Sequence, residues 1–179
     1  KIILFHHEFC VSGGAEHTLF EVMDYLKDSG IDYQCFTSII DKNNCFPDKI
    51  QNYKIYSFFP YSKKIPRIIY PILMALLSPF LLLRFSNASL FYGANQSGPF
   101  LAYVASFIHR RPYIIYMPYP LTLLYPRNID KQFEKVSKSN RFTKIVVGLV
   151  KPPLYLVDKQ IIKKASAVIS EGQYAVDLF

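Results

Sequence analysis

Apolar residues along this chain fall into two alternating patterns. Short runs of about five apolar residues predict buried strands, whereas apolar residues spaced three or four apart predict helices. The predicted strands are Lys1–Phe5, Asp32–Thr37, Lys54–Phe58, Ala88–Tyr92, Tyr113–Tyr116 and Ser166–Ile169. The predicted helices are Ala15–Lys27, Gly98–His109, Pro153–Ala165 and a last one that begins near Gln173. This alternation predicts an α/β fold, a Rossmann-like doubly wound parallel sheet with helices on both faces.

The segment 65–85 departs from this alternation. Its residues Ile68–Leu83 include no charged side chain, and the run is shorter than the roughly 20 apolar residues that cross a bilayer. The cations that flank it are Lys63, Lys64, Arg67 and Arg84. Three interpretations stay open: a helix buried against the sheet, a helix in a membrane interface with these cations at the headgroups, and, least favoured by its length and prolines, a membrane span.

Composition fits one domain that covers residues 1–179, since 51% of the residues are hydrophobic. The cysteines Cys10, Cys35 and Cys45 match neither a disulfide framework nor a zinc site, and they fit a reducing compartment such as the cytoplasm. The net charge is +8, and the segment 127–164, with ten Lys or Arg against three acidic residues, carries +7 of it. This surface fits an anionic partner or simply a solvated face, and no nucleic-acid-binding motif accompanies it.

A glycine pair stands between the first predicted strand and the first predicted helix. In Gly13-Gly14-Ala15-Glu16, the glycines leave the backbone open, and the helix that follows points free N–H groups and a positive dipole end toward them. These features are typical of an anion site such as a phosphate site. The alternative is a tight turn without a ligand.

Three polar or glycine-rich stretches follow the first, fourth and fifth predicted strands, at 6–16, 92–98 and 117–127. Because carboxyl ends of parallel strands meet at one edge of the sheet, we expect a binding cleft there. The candidate binding residues are His6, His7, Asn95, Gln96, Ser97, Tyr116, Tyr119 and Arg127. Amide side chains suit sugar hydroxyls because they donate and accept, although Ser97 is equally suited to cap the following helix. No set of residues at ligand spacing predicts a metal site.

At this point the chain resembles a known family. Three stretches are similar, in their order and spacing, to the N-terminal domain of family 4 glycosyltransferases. They are Val11–Glu16 followed by a helix, the tyrosine-rich Tyr113–Pro120 and the closing stretch Lys164–Glu171. These are retaining enzymes with the two-domain GT-B fold. The resemblance covers nearly the whole chain and implies one Rossmann-like half of that fold.

The resemblance implies a division of labour. The N-terminal domain holds the acceptor, here a lipid-linked or glycan acceptor, while a C-terminal domain not included in this chain holds the nucleotide-sugar donor. Gly13 and Gly14 would then place N–H groups near the donor diphosphate, and no cofactor beyond the donor substrate is implied. We expect a membrane-associated enzyme, cytoplasmic and peripheral on the inner face, and no transferase activity from this chain alone.

One departure from the family bears on catalysis. The histidine that follows the family's fifth strand falls at Pro118 here, and proline can neither donate a proton nor accept one. The catalytic residue is therefore unknown. The departure favours an alternative class of protein, a non-catalytic Rossmann-like module that docks on a membrane or a partner. A dinucleotide-dependent oxidoreductase is disfavoured, because the turn lacks the G-x-G-x-x-G pattern.

Overall fold

Six parallel strands form the centre of the molecule. The computed structural model describes residues 1–67, 69–118 and 141–170. The strands are β1 (Ile2–His6), β2 (Tyr33–Thr37), β3 (Ile55–Ser57), β4 (Leu90–Ala94), β5 (Tyr113–Tyr116) and β6 (Ala167–Ile169). They lie in the order β3-β2-β1-β4-β5-β6, and each neighbouring pair is parallel. The predicted Rossmann-like sheet is therefore confirmed, with its strand order reversing between β1 and β4.

Helices and one short turn connect these strands. They are α1 (Gly14–Asp28), α2 (Pro47–Ile50), α3 (Ile69–Leu81), a 3₁₀ turn (Leu83–Phe85), α4 (Ser97–His109) and α5 (Arg141–Lys164). The sequence pattern did not predict α2, because a single helical turn is too short to show a periodicity. The predicted helix near Gln173 lies outside the described residues.

The sheet carries an apolar core on each face, because side chains alternate along every strand. Leu4 packs on one face with Met23 of α1. Ile3 and Phe5 pack on the other face with residues of α3, α4 and α5, among them Leu101. Helices thus cover both faces of the sheet, as a doubly wound fold requires.

A glycine follows the last turn of helix α1. Gly30 has a φ of +68°, which a side chain disfavours. Its N–H donates to the carbonyl of Lys27 at 3.0 Å, and the N–H of Ile31 donates to that of Leu26 at 2.8 Å. This pair of bonds is the Schellman motif, which satisfies the last carbonyls of α1 and turns the chain into β2.

Helix α3 accounts for the unusual segment 65–85, and it has two different faces. Tyr70, Met74 and Ser78 recur every fourth residue and are buried. The opposite face is also apolar but exposed, and it carries Ile69, Ile72, Leu76 and Phe80, followed by Leu83 of the 3₁₀ turn. We call these five residues the α3 apolar stripe. Within the described part of the chain, no helix is long and apolar enough to cross a membrane.

Helix α5 starts earlier than the sequence predicts. Pro153 is not in its first turn, since both Pro152 and Pro153 lie inside a helix that begins at Arg141. Proline has a φ suited to a helix and interrupts it only by removing an N–H donor and crowding the preceding turn. The prediction was wrong because it treated the prolines as a start signal rather than an interruption.

Candidate functional site

The loops that follow β1 and β4 meet at one edge of the sheet. These two strands are neighbours, with His6 beside Ala94, yet α1 leaves toward one face and α4 toward the other. A parallel sheet opens at such a switch point, and ligands bind there in proteins of this architecture. Two of the three predicted polar stretches, 6–16 and 92–98, therefore lie side by side.

The N-terminus of α1 contains its own carboxylate. Gly13 is the N-cap residue, and Glu16, three positions later, is only 6% exposed. Burial raises the pKa of Glu16, but the hydrogen bond from His6 and the backbone N–H groups of Glu16 and Gly13 outweigh burial, so that the net pKa lies below its usual value. Glu16 therefore stays ionised and occupies part of the positive helix end.

His6 supports this carboxylate from β1. Its side chain is fully buried, and its Nε2 lies 3.3 Å from Oε1 of Glu16. Its Nδ1 has no hydrogen-bond partner among the described residues, and its ring packs 4.8 Å from that of Phe9. In this structure His6 contacts Glu16 rather than the open edge of the sheet, and its predicted contact with an acceptor stays a prediction.

The two glycines of the turn differ in what surrounds them. A Cβ on Gly13 would lie 2.6 Å from Oε2 of Glu16, whereas a Cβ on Gly14 would meet nothing within 4 Å. Gly14 is also exposed, and no group of the described residues accepts a hydrogen bond from its N–H or from that of Ala15. Gly13 thus makes room for Glu16, and Gly14 is the glycine that leaves the backbone open to solvent.

His7 joins the two loops across the switch point. Its Nδ1 lies 2.9 Å from Oγ of Ser97, in the first turn of α4. Its carbonyl accepts the N–H and the hydroxyl of Ser38, which follows β2. Burial, and secondarily His6, lower the pKa of His7 to about 4, with Glu16 opposing them. His7 is therefore a neutral, half-buried imidazole held by side chain and backbone alike.

The turn before α4 is strained. Asn95 and Gln96 have φ values of 56° and 23°, which non-glycine residues seldom adopt. Oδ1 of Asn95 accepts the N–H of Gln96, whose side chain is exposed. Gln96, not Ser97, is the N-cap residue of α4. The capping alternative for Ser97 is therefore wrong, because its hydroxyl turns to His7 instead.

Close backbone packing fixes this turn against the sheet. A Cβ on Gly98 would lie 2.5 Å from the carbonyl oxygen of Phe5, and a Cβ on Gly93 would lie 2.6 Å from that of Gly98. Both obstacles are backbone atoms, which cannot rotate away. Gly93 and Gly98 therefore allow α4 to touch β1 and β4, and this contact brings Ser97 within reach of His7.

The third predicted stretch is only partly described. Tyr116 is 6% exposed and packs in the core with Leu4 and Tyr92, and its contact with an acceptor stays a prediction. Tyr119 and Arg127 lie outside the described residues. Pro118 is buried and follows β5.

The four predicted membrane-contact cations differ in their surroundings. Lys63 and Lys64 are exposed and form no ion pair with the described residues. The Arg67 guanidinium lies 3.6 Å from Oε1 of Glu8. The Arg84 guanidinium stands over the rings of Phe36, Phe58 and Phe85, 4.8 to 5.0 Å from their centroids. Arg67 and Arg84 thus have partners within the protein.

Sequence reasoning missed two features of the site. Ser38 was not predicted, although a polar residue at the end of β2 was a visible signal. The pairing of Glu16 with His6 was also missed, although a glutamate at the third helical position is the place where a capping-box side chain reaches back to the N-cap. In the described part of the chain, no three His, Cys, Asp or Glu side chains cluster as metal ligands.

Comparison with known proteins identifies the fold. The sequence matches no protein-family model and no curated protein. Solved structures are similar: Anabaena Alr3699/HepE in complex with UDP and glucose (20% identity, TM-score 0.62, 100% of this chain and 40% of that chain), and the same protein with UDP-glucose (19%, 0.60, 97% and 38%). MurG of Acinetobacter baumannii is also similar (10%, 0.52, 98% and 42%).

These likenesses show a fold class. The chain has the Rossmann-like architecture of one half of a GT-B glycosyltransferase. It spans about two fifths of the length of HepE and MurG. Identity this low shows the fold and not which residues bind ligands.

The Gly13–Glu16 contact generates a first prediction. We expect Gly13→Ala to lower the free energy of unfolding by about 1–2 kcal/mol, because the new methyl group displaces a buried, hydrogen-bonded carboxylate. Gly14→Ala, in open space, should change it by less than about 0.5 kcal/mol. Urea unfolding followed by circular dichroism measures both.

A double-mutant cycle shows whether Glu16 is the cause. In a Glu16→Ala background, Gly13→Ala should lower the free energy of unfolding clearly less than it does in the unmodified protein, since the carboxylate that it displaces is gone. An equal cost in both backgrounds would contradict this explanation.

The low pKa of His7 generates a second prediction. Native His7 resists protonation, while the unfolded chain binds the proton near the usual histidine pKa of 6.5. The contribution of His7 to the free energy of unfolding is therefore fully present above pH 6.5. It falls as the pH drops toward 4, by about 2 kcal/mol between pH 7 and pH 5. His7→Asn should remove this part of the pH dependence in urea titrations. An unchanged slope in the variant would mean that another group is responsible.

Proposed function

We propose that this chain is the acceptor-binding N-terminal half of a membrane-associated glycosyltransferase, which moves a sugar from a nucleotide-sugar to a lipid-linked or glycan acceptor. The proposal rests chiefly on one observation: the open N–H groups of Gly14 and Ala15 lie at the sheet's switch point. In this proposal residues 1–179 act as one domain together with a second, nucleotide-binding half. The order of the motifs supports a retaining enzyme of family 4.

The reaction calls for a positive environment at the departing group. Transfer breaks the bond between the anomeric carbon and the donor diphosphate, forms a bond to an acceptor hydroxyl oxygen, and releases that hydroxyl's proton. Charge builds up on the diphosphate as it leaves, and preorganised N–H groups stabilise it. Since Glu16 already occupies the inner side of the α1 N-terminus, Gly14 and Ala15 are the groups assigned to a diphosphate oxygen.

The loops after β4 suit the acceptor. Asn95, Gln96 and Ser97 offer amide and hydroxyl groups beside His7, and such groups both donate to and accept from sugar hydroxyls. They lie across the switch point from Gly14, so that donor and acceptor would meet between the two helix starts. Tyr119 and Arg127 remain candidates from the sequence.

The α3 apolar stripe supports contact with an anionic membrane. Four of its side chains lie on one exposed face of α3 and Leu83 extends that face into the 3₁₀ turn, and Lys63 and Lys64 are exposed just before the helix. An apolar face with adjacent cations fits a lipid interface, where the face enters the acyl boundary and the cations meet lipid phosphates. In this proposal the protein is peripheral on the inner, cytoplasmic face.

Pro118 favours a second candidate function. Without a histidine at that position, the chain is also suited to a non-catalytic module that docks on membranes or a partner. The two functions differ in one measurement, because only a glycosyltransferase half supports binding of a nucleotide-sugar. The chain by itself should turn over no nucleotide-sugar in either case.

A proline substitution tests the diphosphate site. Gly14→Pro deletes one N–H, yet proline is well suited to the first position of a helix, and Gly13 before it is already extended, with φ −122° and ψ 173°. We expect UDP to bind at least about tenfold more weakly, because a hydrogen bond to a charged group is lost. Isothermal titration of the protein that carries this chain measures the affinity.

Gly14→Ala is the matched control, since it keeps the N–H and also meets nothing within 4 Å. Its UDP affinity should equal that of the unmodified protein. If Gly14→Pro binds UDP as tightly as Gly14→Ala, the diphosphate site lies elsewhere. If the unmodified protein does not bind UDP, the docking module is the better description.

Paired aromatic substitutions test the membrane contact. Phe80→Ser removes a 74% exposed ring from the α3 apolar stripe, whereas Tyr25→Ser removes a 70% exposed ring from α1 on the opposite face of the sheet. We expect Phe80→Ser to weaken binding to phosphatidylglycerol vesicles about tenfold or more in a sedimentation assay, because a buried phenylalanine contributes about 1.5–3 kcal/mol.

Tyr25→Ser should bind vesicles normally. Lys63→Glu/Lys64→Glu should weaken binding further and reduce its salt dependence, since each cation near anionic lipid contributes about 1 kcal/mol. Equal binding by Phe80→Ser and Tyr25→Ser would rule out the α3 apolar stripe as the lipid contact.

A further inference from the structure

His7 and Ser97 form a side-chain pair that the fold itself does not require. Their contact at 2.9 Å joins residues 90 positions apart. Both side chains are half-buried and lie at the switch point rather than in a core. One ring nitrogen of His7 is used by Ser97, and no group of the described residues is bonded to the other, Nε2.

The position of the pair favours one of the two tautomers of the His7 ring. Nδ1 faces Ser97 in the first turn of α4, where the helix dipole creates a positive potential. A positive potential favours a nitrogen lone pair over an N–H group pointing at it. The tautomer that fits this potential has the ring proton on Nε2 and the Ser97 hydroxyl, which rotates freely, donating to Nδ1.

The surroundings also keep this imidazole uncharged. Burial is the main cause of the lowered pKa of His7, and the charged or titratable groups that face it are His6, which lowers its pKa further, and Glu16, which raises it. With a pKa of about 4, His7 carries no charge at neutral pH and is too weak a base to deprotonate an alcohol. It is suited to hydrogen bonding and not to proton abstraction or ion pairing.

We propose that His7, oriented by Ser97, recognises a sugar hydroxyl by donating its Nε2–H to the hydroxyl oxygen. The inference deepens the proposed function and rests on it for the kind of ligand. His7 is the binding residue, and Ser97 is a positioning residue that fixes the tautomer. An uncharged imidazole forms no ion pair with a phosphate, and the amides of Asn95 and Gln96 beside it suit a hydroxyl, so the hydroxyl is the ligand group assigned to it.

The neighbouring residues fit this role. Gln96 immediately precedes Ser97, and its exposed amide side chain is presented by a turn with a φ of 23°. The contact of Gly98 with the Phe5 carbonyl holds α4 against β1, so Ser97 cannot drift away from His7. A hydroxyl-binding pair preorganised in this way gains selectivity, because its donor is already aimed before the ligand arrives.

Imidazole nitrogen NMR tests the inference directly. In protein labelled with ¹⁵N at histidine, we expect the His7 signals of the Nε2–H tautomer, essentially unchanged from pH 7 to pH 6 because the pKa of His7 is about 4. Glucose, galactose and N-acetylglucosamine are then added separately. At least one should shift the Nε2 signal of His7, and inorganic pyrophosphate should not. His17, whose side chain is 52% exposed on α1, is the internal reference and should not respond to the sugars.

Two variants separate positioning from folding. Ser97→Ala should yield a mixture of tautomers and an approximately tenfold weaker response of His7 to the sugar. Ser97→Thr keeps a hydroxyl and should restore both properties. A Ser97→Ala protein with an unchanged tautomer and an unchanged response would remove Ser97 from the proposal.

Three results would overturn the inference: an Nδ1–H tautomer in the free protein, no response of His7 to any of the three sugars, or an equal response to pyrophosphate. UDP titration of the same sample separates this failure from that of the proposed function. If UDP binds but the His7 signals do not respond to any of the three sugars, the inference is overturned and the proposed function still stands. A His7 response without UDP binding supports the inference and contradicts the donor site.

Discussion

The packing of one helix end onto bare backbone underlies the whole candidate site. Where α4 begins, Gly98 approaches the Phe5 carbonyl and Gly93 approaches Gly98 so closely that a Cβ on either would collide with backbone atoms. This contact closes the core beneath α4 and at the same time sets Ser97 opposite His7. A single constraint on side-chain size therefore links the stability of the sheet to the geometry of its open edge.

Electrostatic interactions determine the arrangement of side chains at the start of α1. A buried carboxylate is costly unless it is paired, and Glu16 is stabilised by His6, by nearby backbone N–H groups and by the helix dipole. The consequence is an asymmetric helix end, with an inner side filled by the protein's own anion and an outer side open at Gly14. An external anion would be confined to that outer side, on the same edge of the sheet as the neutral His7.

Helix α3 shows how one segment combines two roles. Its residues Tyr70, Met74 and Ser78 close one side of the core, while the α3 apolar stripe faces outward. The predicted buried helix describes the inner face of α3, and the exposed outer face is the one to which the proposed membrane contact is assigned. The Arg67–Glu8 ion pair connects the chain just before α3 with the loop that follows His7. The α3 apolar stripe and the candidate site are therefore linked through this ion pair.

The sequence by itself determined the architecture of this protein. Apolar runs and helical spacing are local properties, and they were sufficient for the six strands and for the helix that follows the glycine turn. Tertiary structure alone decided the pairings, because distances between residues far apart in sequence depend on how the elements pack. It buried His6 against Glu16, turned Ser97 from a helix cap into the partner of His7, and enclosed Pro152 and Pro153 within α5, since each of these outcomes depends on neighbours that no local pattern encodes.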